Sequence, residues 1–245
     1  MVITSFVSAR VGSSRLPNKC LLPFGSGNVL QHGIRRAITS GLNPIVCAPS
    51  SDENNVIEDI ALSEGVKCFR GHDDDRLRRW LGCARKFKVN AFHTVDVDDP
   101  FFDPEMMKAS FDLMLKEDLD FVEPTVLSSD GNASVGYSIR TSIVEKACQL
   151  YTDGENTEFL WNYLKRVNGY RSKVLPQRDS FSGLQARLTL DYEEDYWLLR
   201  TLCRILGNDA SRADVDRFLL ANPGLKKINW YRNDEWKGNQ KSLNL

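Results

Sequence analysis

The chain has 245 residues, of which 42% are hydrophobic, and its 32 basic against 33 acidic residues give a net charge of -1. This length suits one large α/β domain better than two independent ones. The balanced charge argues against binding to nucleic acid or to an anionic membrane surface. Because no stretch approaches about 18 consecutive apolar residues and no basic leader precedes the first apolar run, we expect a cytoplasmic protein.

The first predicted element is a strand over residues 2–7, an apolar run that stops abruptly at small, polar and basic residues. The loop that follows, residues 8–19, contains a glycine followed by two serines, and three cations within ten positions. Backbone N–H groups, hydroxyls and guanidinium forks in this combination cradle phosphate. The spacing is neither that of a Walker loop nor the GxGxxG of a dinucleotide turn, so it predicts another kind of phosphate binder.

The string SARVGSSRLPNKCLLPFG, from Ser8 to Gly25, resembles the signature of the sugar-activating cytidylyltransferases, R-x-G-S-S/T-R-L-P-x-K-x-L after a strand. That group includes spore-coat polysaccharide, deoxyoctulosonate and acylneuraminate enzymes, and the chain is most similar to the spore-coat type. The resemblance implies a three-layer α/β/α, Rossmann-like nucleotidyltransferase fold with a mostly parallel sheet. It gives catalytic roles to Arg15 and Lys19. It assigns nucleotide binding to Ala9, Arg10, Gly12, Ser13, Ser14, Arg15 and Lys19.

The next segments alternate between helix and strand patterns, which indicates parallel βαβ units. Strands are predicted at residues 44–48 and 66–69, and helices at 29–40, 54–64 and 76–86. The buried face of the first helix is expected to carry Leu30, Ile34, Ala37 and Ile38. That of the second is expected to carry Val56, Ile60 and Ala61.

Three aspartates, at positions 73 to 75, come directly before the third helix. Aspartates cap helix N-termini, which is a sufficient structural reason for their presence. However, FRGHDDDRLRRW also resembles the family pattern F-R-G-S-x-x-D-V-L-x-R-Y, a loop beside the nucleotide. The resemblance therefore assigns Asp73 and Asp75 to nucleotide binding. Cytosine selection is assigned to the loop from Gly71 to Asp75 and to Ala48, Pro49 and Ser50, at the end of the strand predicted at residues 44–48.

The next strand pattern begins at Ala91 and leads into the aspartate run VDVDDP. Since strand side chains alternate, Asp96 and Asp98 are expected on one face, a costly pair unless a cation compensates them. Oxygen ligands favour Mg²⁺, or Mn²⁺, over zinc, and a helix cap is the alternative role. VDVDDPFFDP resembles the family's ITADCPLIDP, which places Asp98 on a metal-binding aspartate. The spore-coat pattern has an arginine where this chain has Thr94 and a neutral residue at the place of Asp96.

A second aspartate stretch, residues 186–195, has a strand pattern that ends at Asp191, before a predicted helix over residues 192–206. A helix N-cap is one interpretation of Asp191. The string RLTLDYEEDYWLL also resembles the family's R-L-T-V-D-T-P-E-D-L-x-L-I, whose first aspartate is the second metal carboxylate. The resemblance thus assigns the metal, and catalytic roles, to Asp98 and Asp191.

Between the two aspartate stretches, helices are predicted at residues 104–116, 142–151 and 156–167, and strands at 121–127 and 135–140. This half is expected to face the acceptor. We hypothesise that Asp96, Arg140, Lys165 and Arg178 bind it, although the three basic residues could equally be ordinary surface charges. Residues 1–210 are expected to form the nucleotidyltransferase domain. Residues 211–245 would be an extension whose Trp230 and Trp236 dock onto this domain or onto a partner in a homodimer.

The resemblance implies transfer of CMP from CTP to an acidic acceptor, a keto-sugar acid or a small phosphate or phosphonate metabolite, with release of pyrophosphate. Such a transfer needs positioning and charge neutralisation rather than a protein nucleophile. Two alternatives stay open on the sequence: a nucleotide-binding paralogue without catalysis, and a transferase that uses another nucleotide. An oxidoreductase is disfavoured, since only one glycine follows the first strand.

Overall fold

The computed structural model of the protein describes residues 2–125, 133–152, 155–177 and 186–243. Its strands are β1 (Ile3–Ser8), β2 (Pro23–Phe24), β3 (Gly27–Asn28), β4 (Leu42–Pro49), β5 (Lys67–Gly71), β6 (Ala91–Asp96), β7 (Phe121–Glu123), β8 (Ser138–Arg140) and β9 (Ser172–Val174). Its α-helices are α1 (Val29–Thr39), α2 (Asn55–Ser63), α3 (Arg76–Phe87), α4 (Pro104–Lys116), α5 (Thr141–Cys148), α6 (Trp161–Leu164), α7 (Glu193–Leu206), α8 (Arg212–Ala221) and α9 (Arg232–Leu243). Within these ranges, no helix has the length and apolar character needed to cross a membrane.

Seven strands form one sheet in the order β5-β4-β1-β6-β8-β7-β9. Neighbouring strands are parallel except at β8, which runs antiparallel to both β6 and β7. The central strands are apolar because helices cover both faces of the sheet. Phe6 packs in the cluster that contains α3 and α5, whereas Val7 packs in the cluster that contains α1, α2 and α7. The predicted three-layer, mostly parallel α/β fold is therefore confirmed.

The order of the strands brings two functional segments together. The chain runs from β1 outward to β4 and β5, then returns to β6 on the other side of β1. Ser8, the last residue of β1, is in register with Cys47 of β4 and Asp96 of β6. Open α/β sheets bind ligands at the carboxyl ends of strands where the order reverses in this way. The loop after β1 and the aspartates after β6 therefore begin side by side.

Two helix faces differ from the sequence prediction. Ile38 is 44% exposed and Val56 is 37% exposed, so neither belongs to the core. Ile38 lies about 80° around α1 from Leu30, beyond the edge of the buried face, which extends around the helix in the other direction. In α2 the buried stripe is centred on Ile57 and Ala61, and Val56 lies about 100° away from Ile57.

Several predicted elements are shorter or absent. Of the predicted helix 156–167 only Trp161–Leu164 is helical, because Thr157 turns inward and donates its hydroxyl to Asp75 at 2.9 Å. The strand predicted at 121–127 ends at Glu123, and residues 126–132 lie outside the described part. Residues 186–190 form no strand; the Leu190 N–H instead donates to the Asp98 carbonyl at 2.7 Å.

The C-terminal segment packs against the rest of the chain. Val215 and Leu219 of α8 belong to the same core cluster as Leu198 of α7. At the start of α9, the Arg232 guanidinium donates to both carboxylate oxygens of Glu194. Trp230 and Trp236, for which the sequence left docking onto the chain or onto a partner open, are half-buried against the chain's own residues.

Candidate active site

A pocket of about 260 Å³ opens at the carboxyl ends of β1 and β6. Sequence-predicted residues on its lining are Ala9, Arg10, Ser13, Ser14, Arg15, Lys19, Asp73, Asp96, Asp98 and Asp191. Lining residues that were not predicted include Arg76, Arg79, Asp99, Glu158, Phe159, Trp161 and Trp236. We call residues 8–19 with Asp98 and Asp191 the loop wall. We call Arg76, Asp96, Glu158, Phe159 and Trp161 the aromatic wall.

The loop after β1 is fixed at its base. The Val11 N–H donates to Asn54 Oδ1 at 2.9 Å, and the Cys20 thiol donates to the Arg10 carbonyl at 3.4 Å. Asn18 has a φ of 56°, a left-handed conformation that asparagine tolerates, and the chain turns there into the short 3-10 helix Lys19–Leu21. Arg10 and Ser14 remain exposed above this base. The arrangement presents hydroxyl and guanidinium groups at the pocket mouth.

Lys19 joins the two predicted metal aspartates. Its Nζ donates to Asp98 Oδ2 at 2.6 Å and to Asp191 Oδ1 at 3.1 Å. Its side chain is only 13% exposed. Burial alone would lower the pKa of Lys19, but the two carboxylates outweigh that effect and raise the pKa above its ordinary value. Lys19 is therefore charged at all physiological pH values and holds the two aspartates close together.

Asp191 is a buried carboxylate surrounded by cations. Arg15 Nη2 donates to its Oδ1 at 2.6 Å, and Arg187 Nη2 donates to its Oδ2 at 3.0 Å. Burial would raise the pKa of Asp191, but Lys19, Arg15 and Arg187 together lower it to about 2. The carboxylate is therefore ionised at any working pH.

Asp191 is not the N-cap of the helix that follows it, which was the alternative interpretation of its place in the sequence. Tyr192 is the residue that precedes α7. The carboxylate of Asp195, in the first turn of that helix, accepts the Asp191 and Tyr192 N–H groups, both at 2.9 Å. Both oxygens of Asp191 are directed to cations instead, so its side chain is available to the pocket rather than to the helix terminus.

Asp191 is held in place by Arg187, which is itself held by residues farther from the pocket. Arg187 is fully buried and also donates to Asp195 Oδ1 at 2.9 Å. Asn229, which lies beyond α8, donates its side-chain amide to Asp195 Oδ1 and to the Arg187 carbonyl, both at 2.9 Å. The Arg187 guanidinium also lies over the rings of Tyr192 and Trp236, 5.2 and 5.3 Å from their centroids. The C-terminal segment thus contributes directly to the position of a pocket carboxylate.

The aromatic wall carries two ion pairs. Arg76 Nη2 donates to Asp96 Oδ1 at 2.6 Å, and Arg10 Nη2 donates to Glu158 Oε2 at 3.1 Å. The second pair connects this wall to the loop wall. Burial raises the pKa of Asp96, although Arg76 opposes that shift. Phe159 and Trp161 contact each other edge to face, with centroids 5.0 Å apart, and complete the wall.

Asp75 does not lie on the pocket lining, contrary to its predicted nucleotide contact. It is fully buried, caps α3 by accepting the Arg78 N–H at 3.0 Å, and accepts the hydroxyls of Tyr151 and Thr157. These partners occupy both carboxylate oxygens, so its role here is structural. Asp73 does line the pocket and accepts the Ser51 N–H at 2.9 Å. In the aspartate run, the helix cap is thus found at Asp75 and the place beside the pocket at Asp73.

Other predicted residues lie away from the pocket lining. Arg140 is at the end of β8, in register with Ala91 at the start of β6, and so lies at the opposite end of that strand from Asp96. It pairs with Asp118 at 3.0 Å, and Lys165 pairs with Glu123 at 2.7 Å. Gly12, Pro49 and Ser50 are also absent from the lining. Arg178 lies outside the described residues.

The site fits a divalent cation. Two carboxylate oxygens from segments far apart in the chain already lie within 3.1 Å of one positive group, the Lys19 ammonium. The donors are oxygens, which suit Mg²⁺ or Mn²⁺, and a Mg²⁺ site commonly uses two carboxylates completed by substrate phosphates. Among the described residues, no set of three or more histidine, cysteine or acidic side chains is arranged to hold a metal by itself. Substrate phosphates and water would complete the coordination.

One unpredicted residue had a detectable signal in the sequence. Arg76 is the first residue of α3, where the helix dipole disfavours a cation. A positive charge at that place needs a partner, and Asp96 is that partner. Glu158 and Trp236 had no comparable signal, because only tertiary packing brings them to the pocket.

Known proteins share this pattern over most of the chain. The sequence model described as cytidylyltransferase matches residues 4–191. The chain belongs to the cytidylyltransferase family. The match spans the loop wall from β1 to Asp191, and it ends before the C-terminal segment that holds Asn229 and Trp236.

Individual relatives of this cytidylyltransferase extend the comparison to almost the full chain. The spore coat polysaccharide biosynthesis protein SpsF of Bacillus subtilis is 24% identical over 231 residues, which cover 90% of this chain and 95% of SpsF. The structure of a cytidylyltransferase from Leptospira borgpetersenii has a TM-score of 0.81 and 24% identity, and covers 92% of this chain and 97% of its own.

A CMP:2-keto-3-deoxy-manno-octonic acid synthetase solved with CTP has a TM-score of 0.65 and 16% identity. It covers 84% of this cytidylyltransferase and 99% of its own chain. At this level of identity, both solved structures show that the fold is shared.

Proposed function

We propose that this family member transfers CMP from CTP to an acidic acceptor, a keto-sugar acid or a small phosphate or phosphonate metabolite. The observation that carries the proposal is the meeting of Asp98 and Asp191 at the Lys19 ammonium, beside a loop rich in cations and hydroxyls. Nucleotidyl transfer needs this combination, because a polyphosphate must be held and its charge neutralised. Membership of the cytidylyltransferase family, and the CTP bound by the structurally similar synthetase, support CTP as the nucleotide.

In the proposed reaction, an acceptor oxygen attacks the α-phosphorus of CTP. The bond between this phosphorus and the oxygen that bridges to the β-phosphate breaks, and pyrophosphate leaves. Arg10, Ser13 and Ser14 would bind the β- and γ-phosphates from the loop wall. Arg15 and Lys19 would neutralise the charge that builds on the leaving pyrophosphate. The same two cations hold Asp191 before substrate binds, so the site is electrostatically organised in advance.

Asp98 and Asp191 would hold Mg²⁺ or Mn²⁺, which when bound supplies positive charge beside the α-phosphate. The pKa of Asp191, lowered to about 2, keeps this ligand ionised. We assign the acceptor to the aromatic wall, because Arg140 and Lys165 lie elsewhere.

The proposal is tested by pyrophosphate release with each of the four nucleoside triphosphates, in Mg²⁺, Mn²⁺ or EDTA, against a panel of acceptors. The panel holds 3-deoxy-manno-octulosonate, N-acetylneuraminate and small phosphorylated and phosphonate acids. We expect release with CTP, dependent on metal and on one class of acid. Release with another nucleotide would contradict the choice of CTP. CTP binding by calorimetry without release on any acid would contradict the proposed catalysis.

A further inference from the structure

The acceptor's acidic group needs a cation, and the pocket offers few that are not already assigned. Arg15 and Lys19 contact Asp191, and Arg10 lies in the loop that would bind phosphate. Arg79 is 5% exposed and donates to the carbonyls of His72 and Asp73. Arg76 is the remaining guanidinium among the described lining residues.

Arg76 is held at the pocket surface rather than buried beneath it. Its side chain is 22% exposed and that of its partner Asp96 is 25% exposed. The guanidinium lies over the fully buried Trp80 ring, 5.3 Å from the centroid, so one face is packed and its direction is set. Asp96, Glu158 and Asp98 all attract it electrostatically. The guanidinium therefore lies near Asp98 of the loop wall and shares the pocket lining with Phe159 and Trp161.

We infer that Arg76 receives the acidic group of the acceptor, and that Asp96 orients its guanidinium for this contact. The inference rests on the proposed function and names the binding residue for its acceptor. A guanidinium presents five N–H donors in a rigid fork that matches carboxylate, phosphate or phosphonate oxygens in two-point contacts. The negative charges of the carboxylates around Arg76 are balanced by the positive charges of Arg10, Lys19 and the proposed metal. An acidic acceptor is therefore not repelled by a net negative charge at this place. Phe159 and Trp161 border the same space with apolar faces suited to a carbon skeleton.

The test compares a carboxylic acid acceptor with its methyl ester, which keeps the skeleton and removes the charge. The acceptors are whichever carboxylic acids of the panel the wild-type enzyme uses, for example 3-deoxy-manno-octulosonate, each paired with its ester; for a phosphate or phosphonate acid the fully methylated ester takes this place. Wild type should prefer the acid. In Arg76→Gln the acid-over-ester ratio of kcat/KM should fall roughly 10- to 100-fold, while CTP affinity by calorimetry stays within about twofold. Arg76→Lys should keep part of the preference, because charge remains and the fork is lost.

Lys165→Gln is the matched control, since it removes a cation that lies off the pocket, and its ratio should not change. If Arg76→Gln lowers turnover of acid and ester equally, the pair is structural and the inference is wrong. Arg76→Lys provides the same readout if Arg76→Gln fails to fold by thermal melting. Wild-type turnover of esters as well as acids would also overturn the inference while leaving the proposed function intact. If the wild-type enzyme releases no pyrophosphate with any of the acids, the proposed function itself is wrong.

Discussion

The loop wall and the aromatic wall of the pocket are assembled in different ways. Most of the loop wall comes from one stretch of twelve residues after β1, and its two aspartates are joined by Lys19. The aromatic wall takes one residue from α3, one from β6, two from the irregular segment before α6 and one from the start of α6. The loop wall is a contiguous motif with buried ion pairs, whereas the aromatic wall depends on how separate segments pack.

This difference indicates where family and individual properties reside. In the proposed function, the loop wall would hold what every nucleotide donor shares, the polyphosphate and the metal. The aromatic wall would hold the acceptor, which varies between substrates. Changes to the loop wall should therefore abolish reaction, and changes to the aromatic wall should alter the choice of acceptor.

The largest effect is expected for Asp191→Asn. Turnover should fall at least about 100-fold, beyond the 10- to 100-fold typical of groups that only orient a metal ligand. Because Arg15, Lys19 and Arg187 lose a buried counter-charge, the free energy of unfolding should also drop by about 3 kcal/mol. Pyrophosphate release and urea denaturation measure the two effects. Asp98→Asn removes a carboxylate that is 29% exposed. This variant should therefore lose turnover with a smaller loss of stability. An Asp191→Asn enzyme that keeps a tenth of its turnover would contradict the assignment.

Acid should act on His93, which lies behind the pocket, at a higher pH than on Asp191 of the loop wall. His93 is fully buried beneath the segment 133–137, with Nε2 at 2.7 Å from the Val135 carbonyl and Nδ1 at 2.8 Å from Ser138 Oγ. Burial lowers its pKa to about 4. Since the unfolded chain takes up the proton near pH 6.5, stability is full above that pH and decreases as pH falls toward 4, by about 3 kcal/mol from His93. Asp191 has a depressed pKa, so its contribution is lost only as pH falls below about 4 toward 2.

Urea denaturation between pH 7 and pH 4 measures this dependence. His93→Gln should flatten the pH profile, while His32, whose pKa burial also lowers to about 4, should retain its own share. Hydrogen exchange of residues 133–137 should increase in acid before that of the loop after β1. A profile that is unchanged in His93→Gln would show that this histidine is not the titrating group.

A smaller, about 10-fold, effect is expected for Asn229→Ala. Its amide holds Asp195 and Arg187, which hold Asp191, so its loss should weaken the metal dependence of turnover. Mn²⁺ binding in the presence of CTP, followed by electron paramagnetic resonance, measures this without catalysis. Asn233→Ala is the matched control, because Asn233 is an equally buried asparagine in α9. Equal losses in both variants would indicate general destabilisation only.

The smallest effects are expected at two residues that the sequence suggested for the acceptor and that lie off the pocket. Arg140→Ala and Lys165→Ala should leave the acceptor KM within about twofold, because their surface ion pairs contribute little. Steady-state kinetics on the accepted acid measures this. A rise of fivefold or more in the acceptor KM of either variant would indicate that the residue contacts the acceptor.

The sequence was informative where function resides in consecutive residues. The loop of residues 8–19 and the two aspartates could be located because each belongs to a short ordered string beside a strand or helix. Asp75 shows the limit: the same string is consistent with a nucleotide contact and with a helix cap, and only burial against Tyr151 and Thr157 distinguishes them. Glu158 reaches Arg10 across 148 positions, a contact that no local periodicity encodes.

The position of Asn229 and Trp236 in the chain has a consequence for biosynthesis. Translation produces the loop after β1, Asp98 and Asp191 well before these two residues. A nascent chain can therefore form the strands and the family motif while Arg187 still lacks its amide and indole partners. The geometry of Asp191 is completed only when the C-terminal segment has left the ribosome and packed against α7. The order of synthesis thus makes the Asp191 carboxylate one of the last parts of the pocket to reach its final position.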